Sequence, residues 1–265
     1  MRALRHYWLF VRLGVKTQTE YNADFLIGLV SIALLNAVDL LLLGVLLGRF
    51  NALGGWSLWQ IVFLYSFFLV ALGIQNTFTS HLLELEDLVR DGTLDMMLVR
   101  PASPLVQLLG RDVRFNQLPD LALGCIGIVV ASVHLHLVWT FPRVLLAVLM
   151  AVSGAVLLAS IVLALCSLAF WTVKSRVFVL STVELQEVVQ HYPSQIFGRW
   201  FLLVVTTVLP FAFINYYPTL LLLGRTADGP HPALAWASPA AAFLAAAIAV
   251  GVWHLGLRGY ESTGS

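Results

Sequence analysis

Long apolar runs are the feature of this sequence that most restricts what the chain can fold into. A helix needs about 20 apolar residues to cross the hydrocarbon layer of a bilayer, and such runs predict spans at residues 25–48, 58–78, 118–138, 144–171 and 240–257. Only 11% of the residues are charged and 60% are hydrophobic, whereas a soluble domain carries about 25% charged residues. The sequence therefore predicts an all-α, polytopic membrane protein that forms one transmembrane domain over residues 1–265.

Charge, cysteines and motifs exclude several classes of function. The net charge of +1 gives no strong attraction to nucleic acid. Cys125 and Cys166 lie singly in apolar runs without metal-ligand spacing, so we expect neither a metal nor a cofactor in this chain. The phosphate-binding patterns GxxxxGKS and GxxxxGKT do not occur in the sequence, and we expect the chain to be non-catalytic, without ATP hydrolysis of its own.

The apolar residues 177–223 are interrupted by three prolines, and two arrangements fit them. In the first, a span that starts near residue 177 ends before Pro193, and the remainder forms short re-entrant helices on the far side. In the second, the stretch up to Arg199 lies at the near interface and the remainder is the span. Irregular backbone is tolerated at membrane depth where protein or water surrounds it. Both arrangements bring the predicted spans to six, and we favour the first.

Basic residues in the short connecting segments set the orientation of such a protein. When the amino terminus is placed in the cytoplasm, most of the arginines and lysines outside the spans fall on the cytoplasmic side. An even number of spans then returns the carboxyl terminus to the same side. We therefore expect both termini in the cytoplasm.

The first predicted element is an amphipathic helix over residues 2–17. Its basic residues lie on one side, with Trp8 opposite them. A basic helix with an aromatic residue on its other face suits the headgroup plane of a membrane. The alternative is an ordinary basic flank of the first span. The basic residues are Arg2, Arg5, Arg12 and Lys16.

The most charged stretch of the chain is the connection over residues 79–116, which the orientation places in the cytoplasm. Gly92 can end a helix in a left-handed conformation. Asp91 or Thr93 can cap a short following helix that stops before Pro101. Apolar residues on one face of that helix suit docking into a groove of a soluble partner, and the alternative is a solvated connector. These apolar residues are Leu94, Met97 and Leu98.

A few side chains at membrane depth invite functional hypotheses. Asp39 lies within the first span, where a charge costs at least a few kcal/mol, so it either recognises a cationic substrate or forms a hydrogen-bonded structural site. Glu184 and Glu187 share a helix face at a spacing of three and either face a path for cations or lie near the cytoplasmic interface. Phe67 and Phe68 make the second span aromatic, which suits a hydrophobic path or ordinary packing.

Two groups of motifs resemble those of the type-2 ABC transporter permeases, which are six-span export subunits that work with separate ATPase subunits. In the charged connection the motif is Gly92-Thr-Leu-Asp95-x-x-Leu98-x-Arg100-Pro101-x-x-Pro104. In the penultimate region the motifs are Tyr192-Pro193, Leu209-Pro210-Phe211 and Tyr216-Tyr217-Pro218. The resemblance covers nearly the whole chain, and within the family the chain is similar to bacterial drug or viologen exporters.

The resemblance implies roles for three sets of residues. A cytoplasmic coupling helix would contact the ATPase through Glu86, Asp87, Arg90, Asp91, Gly92, Thr93, Leu94, Asp95, Met97, Leu98, Arg100 and Pro101. Re-entrant helices would close the outer gate through Pro193, Pro210, Tyr216, Tyr217 and Pro218. We place the translocation path at Asp39, Phe67, Phe68, Glu184, Glu187, Tyr192 and Phe211.

The resemblance also implies the partners. Two ABC ATPase subunits would bind ATP and Mg, and a second permease, identical or paralogous, would complete the path within the lipid of a bacterial cytoplasmic membrane. We expect amphipathic or cationic drug-like substrates, with lipid or polysaccharide as the alternative. A different class, an ion-gradient-driven transporter or channel, would use Asp39 and Glu184 without any ATPase. A membrane enzyme is disfavoured because the sequence lacks HExxH and other catalytic motifs.

Overall fold

The computed structural model describes residues 22–49, 52–110, 118–172 and 175–260. Within these ranges the chain is helical, with one isolated bridge between Leu53 and Trp56. The predicted amphipathic helix over residues 2–17 lies outside the described residues. The α-helices are α1 (Asn22–Arg49), α2 (Leu58–Thr79), α3 (Leu85–Arg90), α4 (Thr93–Leu98), α5 (Pro104–Leu109), α6 (Leu118–His134), α7 (Phe141–Cys166), α8 (Arg176–His191), α9 (Arg199–Thr207), α10 (Tyr216–Leu222) and α11 (Ser238–Arg258).

The six predicted spans are confirmed in part. Among the described residues, three helical stretches are long and apolar enough to cross a membrane: Leu58–Arg90, Phe141–Phe170 and Ser238–Arg258. A fourth is added if α9 and the stretch Phe211–Leu222, which are bent by 81°, count as one span. The predicted span at 118–138 is the helix α6, whose 17 residues extend about 26 Å and fall short of a hydrocarbon layer of about 30 Å.

Helix α2 is the centre of the fold. An apolar helix without a polar face is stable when it is covered on all sides, and α2 packs against α1, α6, α7 and α8. Its approach to α6 is close because α6 carries glycines at the crossing. A Cβ atom at Gly124 would lie 2.8 Å from the Ser66 carbonyl oxygen, so only glycine fits there.

The bundle has two ends, which we name after Trp56 and Arg90. Trp56 precedes the first turn of α2, and Arg90 ends the helical stretch that α2 begins. Helix α11 ends at the Arg90 end, because Gly256 lies against Phe170 and the neighbouring Trp253 belongs to the same buried cluster as Leu94. Helix α8 begins at that end too, next to Glu86.

The segment 193–223 forms a hairpin that enters and leaves at the Trp56 end. Its beginning is fixed there because Ile196 lies against Gly54. Its end is fixed there because the Arg225 guanidinium lies 4.8 Å from the centre of the Trp56 ring. Between them, Ile214 reaches Gly154 in the middle of α7. These contacts favour the first of the two predicted arrangements, a helix followed by a re-entrant hairpin.

The three prolines of this region lie where the backbone tolerates them. Pro193 directly follows the end of α8, and Pro210 lies in the break between α9 and the short helix Phe211–Phe213. Pro218 is the third residue of α10, where a backbone N–H has no partner within the helix in any case. The prolines therefore set the breaks of the hairpin without removing helical hydrogen bonds.

Candidate functional site

The charged connection folds into three short helices, α3 to α5, against the Arg90 end of the bundle. Gly92 separates α3 from α4 with a φ of +68°, the left-handed conformation that the sequence predicts. The predicted capping of α4 by Asp91 or Thr93 is wrong, because Gly92 itself is the capping residue and no side chain caps the helix. Helix α4 ends at Leu98, before Pro101, as expected.

The predicted apolar docking face of α4 is wrong for two of its three residues. Leu94 and Met97 are only 1% and 7% exposed, because they pack on Leu85 and Trp253 in the cluster that closes the Arg90 end. Leu98, the third residue of the face, is 41% exposed. The other exposed apolar residues of this segment are Met96 (63%) and Val99 (87%).

The charged residues of α3 divide into an exposed group and an inward-facing one. Arg90 forms ion pairs with Asp87 at 2.8 Å and with Asp91 at 3.2 Å, all three on the exposed side. Glu86 instead turns toward the start of α8, where its carboxylate accepts hydrogen bonds from the Arg176 backbone N–H at 2.6 Å and the Ser175 hydroxyl at 3.1 Å. A carboxylate at a helix N-terminus is favourable for both hydrogen bonding and charge. Glu86 therefore joins the charged connection to α8.

Helix α8 carries one wall of an acidic cavity of about 470 Å³ between α1 and α8. Glu184, Glu187 and His191 follow one another at spacings of three and four, which places them along one face of α8. Asp39 faces them from α1, with its carboxylate oxygen 3.5 Å from His191 Nε2. The structure thus brings together four predicted path residues, Asp39, Glu184, Glu187 and Tyr192, and adds His191. The lining is completed by Leu42 and Val188.

A buried polar network lies behind this cavity. The Tyr65 hydroxyl donates to Asn36 Oδ1 at 2.8 Å, and Asn36 Nδ2 donates to Asp120 Oδ1 at 2.7 Å. The Tyr65 ring also stacks on His191, with ring centres 5.0 Å apart. The network thereby connects α1, α2, α6 and α8. Asp120 is not among the residues predicted from the sequence, although a carboxylate directly after Pro119 in an apolar run is as unusual as Asp39.

Three residues that were placed on the path are core residues instead. Phe67, Phe68 and Phe211 are fully buried and line neither side of the acidic cavity. Phe67 and Phe68 are buried because α2 packs against four neighbouring helices, and Phe211 belongs to the same buried cluster as Phe68. Aromatic residues in a span therefore indicate packing here.

The predicted gate residues lie in the hairpin and fix it internally. The Tyr216 hydroxyl and the Gln195 side-chain amide are hydrogen-bonded at 2.8 Å, and the Tyr217 hydroxyl is 2.9 Å from Thr206 Oγ1. Asn215 donates to the Val189 carbonyl oxygen at 2.9 Å, which ties the hairpin to α8. These bonds connect the hairpin to the helix that carries the acidic cavity.

The carboxylates of the cavity do not form a metal site. Among the residues that the structure describes, no group of three or more His, Cys, Asp or Glu side chains is placed to hold a metal ion. A cavity of this volume falls in the range of small-molecule pockets, about 300–1,000 Å³. The arrangement can therefore bind an organic cation by charge and by contact with Leu42 and Val188.

These features define a polytopic helical membrane protein with a folded, charged connection at one end and a hairpin at the other. The family model described as ABC-2 family transporter protein matches residues 33–264, so the chain belongs to that family and is a permease subunit of an ABC transporter. Membership confirms the resemblance that the motifs indicated and implies association with an ABC ATPase. No curated protein and no solved structure matches the chain.

Proposed function

We propose that this chain is the permease of an ATP-driven exporter for amphipathic organic cations. The observation that carries the proposal is the acidic cavity between α1 and α8. Its lining holds three carboxylates, from Asp39, Glu184 and Glu187, against one imidazole, from His191. A cation that leaves water for such a site regains favourable interactions from the carboxylates, while a neutral or anionic compound does not.

The exposed side of the charged connection supports docking of a partner ATPase. Met96 and Val99 are exposed apolar residues of the same connection that carries the exposed ion pair of Asp87 with Arg90. An apolar centre with a charged rim is the usual composition of a protein interface. Two ATPase subunits would bind ATP and Mg, and the permease would contribute the docking surface alone.

A second permease, identical or paralogous, would complete the path. The cavity is open on the side of α8, where the apolar residues Val177, Phe178, Leu180 and Val183 are also exposed. An exposed apolar helix face beside a half-open cavity suits contact with another membrane helix. In this assembly the Arg90 end would face the cytoplasm of a bacterium, with both termini on that side, and the hairpin would close the outer side.

Binding of a lipophilic cation tests the proposal. We expect tetraphenylphosphonium to bind the purified complex and to stimulate its ATP hydrolysis, while the neutral tetraphenylsilane does neither. The double variant Glu184→Gln/Glu187→Gln should lose most of the binding. Equal stimulation by both compounds would contradict cation selectivity and favour lipid or polysaccharide as the substrate. Purification of the chain without any ATPase from several detergents, with transport driven by an ion gradient, would contradict the exporter itself.

A further inference from the structure

A second cavity lies on the opposite side of the hairpin, away from the acidic one. It also has a volume of about 470 Å³ and is bounded by α7, α11 and the end of α9. The wall from α11 consists mainly of small residues, with Ala241, Leu244, Ala245 and Ile248 at successive turns. Because the alanines extend so little from the helix, a groove remains between α11 and the hairpin.

The side-chain hydroxyls of the groove wall donate their protons within their own helices. The Ser160 hydroxyl donates to the Val156 carbonyl oxygen at 2.6 Å. The Thr206 and Thr207 hydroxyls likewise donate to the carbonyl oxygens one turn earlier in α9, at 2.6 Å and 2.8 Å. The hydroxyls that line the groove are therefore satisfied within their own helices. A ligand here contacts hydrocarbon and loses any hydrogen bond that it made in water.

The groove is as deep as one leaflet of a bilayer. It extends along α11 from Ala237, directly before the helix at the Trp56 end, to Ile248 in the middle of the helix. This distance is about 16 Å at 1.5 Å per residue, and half of the hydrocarbon layer is about 15 Å. Trp236, the residue before Ala237, is 59% exposed, and exposed tryptophans are enriched at the headgroup level of membranes.

The groove opens sideways, toward the surroundings of the bundle. Val208, Leu244 and Ile248 are all more than half exposed along its rim. The environment at the middle of a spanning helix is hydrocarbon, and a void of this size is costly because its walls lose their van der Waals contacts.

We propose that the groove between α11 and the hairpin binds one acyl chain of a phospholipid from the leaflet at the Trp56 end. The acyl chain fills the space beside Thr206 to Pro210 and Phe213 and thereby supports the turn of the hairpin. Lipid in this groove stabilises the hairpin in the position described. The site is independent of the acidic cavity and of the substrate that the cavity takes.

Photolabelling tests the site directly. The intact transporter complex is placed in nanodiscs of phosphatidylethanolamine and phosphatidylglycerol that contain phosphatidylethanolamine with a diazirine in the middle of one acyl chain. We expect labelled peptides to come mainly from residues 237–248 and 206–210. Ala241→Phe and Ala245→Leu fill the groove and should lower this labelling at least fivefold. The matched control is Ala247→Phe, which adds the same side chain on an exposed part of α11 that does not line the groove.

Two results would overturn the proposal. Labelling of these peptides that is equal in the wild type, both groove-filling variants and the control would show unspecific contact with the bilayer. Displacement of the label by tetraphenylphosphonium, at constant lipid, would assign the groove to the substrate instead. If Ala241→Phe folds poorly, thermal unfolding of the other variants still tests the proposal. Added phospholipid should raise the Tm of the delipidated wild type and of Ala247→Phe. It should leave the Tm of Ala245→Leu nearly unchanged.

Discussion

Helices α2 and α8 lie side by side, and residues of both were predicted to line the translocation path. In the structure the predicted residues of the two helices have different surroundings. Helix α2 is covered all round, and its residues Phe67 and Phe68 are fully buried. Helix α8 is covered on one side, so that Glu184 and Glu187 stay exposed in the acidic cavity. Their contact passes through the stacked rings of Tyr65 and His191.

The difference shows which residues of a membrane helix are available for function. Helix α2 is apolar around its whole circumference and supplies the packing surface for its neighbours. Helix α8 combines an apolar face with carboxylates and begins at a carboxylate cap from the charged connection. The carboxylates of the acidic cavity are thus on the helix that is hydrogen-bonded to the charged connection.

Helices α2 and α8 should differ most in the stability that is lost when an aromatic side chain is truncated. Phe68→Ala in α2 leaves a cavity in the core and is expected to lower the free energy of unfolding by about 4 kcal/mol. Phe178→Ala in α8 removes a side chain that is 45% exposed, and we expect a loss of about 1 kcal/mol or less. Thermal unfolding of both variants in one detergent measures the difference. Similar losses would mean that α8 is as tightly covered as α2 in the assembled protein.

Helix α4 of the charged connection also has both a buried and an exposed apolar position. Leu94→Asp puts a charge into the buried cluster at the Arg90 end and should cost about 3 kcal/mol or more. Met96→Asp changes an exposed position and should leave the stability within about 0.5 kcal/mol, while it weakens co-purification with the ATPase. Unfolding and pull-down of both variants separate the two effects. Normal ATPase recovery with Met96→Asp would exclude the exposed patch as the docking surface.

The helical class and most helix positions were predictable because apolar runs of about 20 residues have few other stable environments. The left-handed Gly92 and the breaks at Pro193 and Pro210 were also predictable, since backbone geometry alone determines them. These features depend on local sequence and need no knowledge of neighbouring helices.

What each side chain faces and contacts was not predictable in the same way. Periodicity groups Leu94 with Met97, but it does not say whether that face meets the chain's own core or a partner. The role of Glu86 depends on Arg176, which is 90 residues away in sequence. Asp120 belongs to the buried polar network because Asn36, on another helix, donates a hydrogen bond to it. Such assignments depend on long-range contacts, which one sequence does not contain.

Removal of the Glu86 cap should have an intermediate effect. Glu86→Ala leaves the start of α8 without its side-chain acceptor, and loss of a cap costs about 1–2 kcal/mol. Because this bond joins the charged connection to α8, we also expect substrate-stimulated ATP hydrolysis to fall while basal hydrolysis persists. Glu86→Gln is the control, since it removes the charge but keeps a side-chain oxygen that can accept the bond from the Arg176 backbone N–H. Equal stimulation in both variants would show that the link carries no coupling.

The smallest effect on folding, and the most specific one, is expected from the carboxylates of the acidic cavity. Asp39→Asn and Glu187→Gln remove charge without changing shape, so the stability should stay within about 0.5 kcal/mol of the wild type. Binding of tetraphenylphosphonium should weaken by about three- to tenfold in each variant, which corresponds to about 0.7–1.4 kcal/mol. Glu84→Gln at the Arg90 end removes the same charge away from the cavity and serves as the control for a general effect of net charge. If all three variants weaken binding equally, the attraction comes from the charge of the whole protein; if only Asp39→Asn and Glu187→Gln do so, α1 and α8 hold the cation between them.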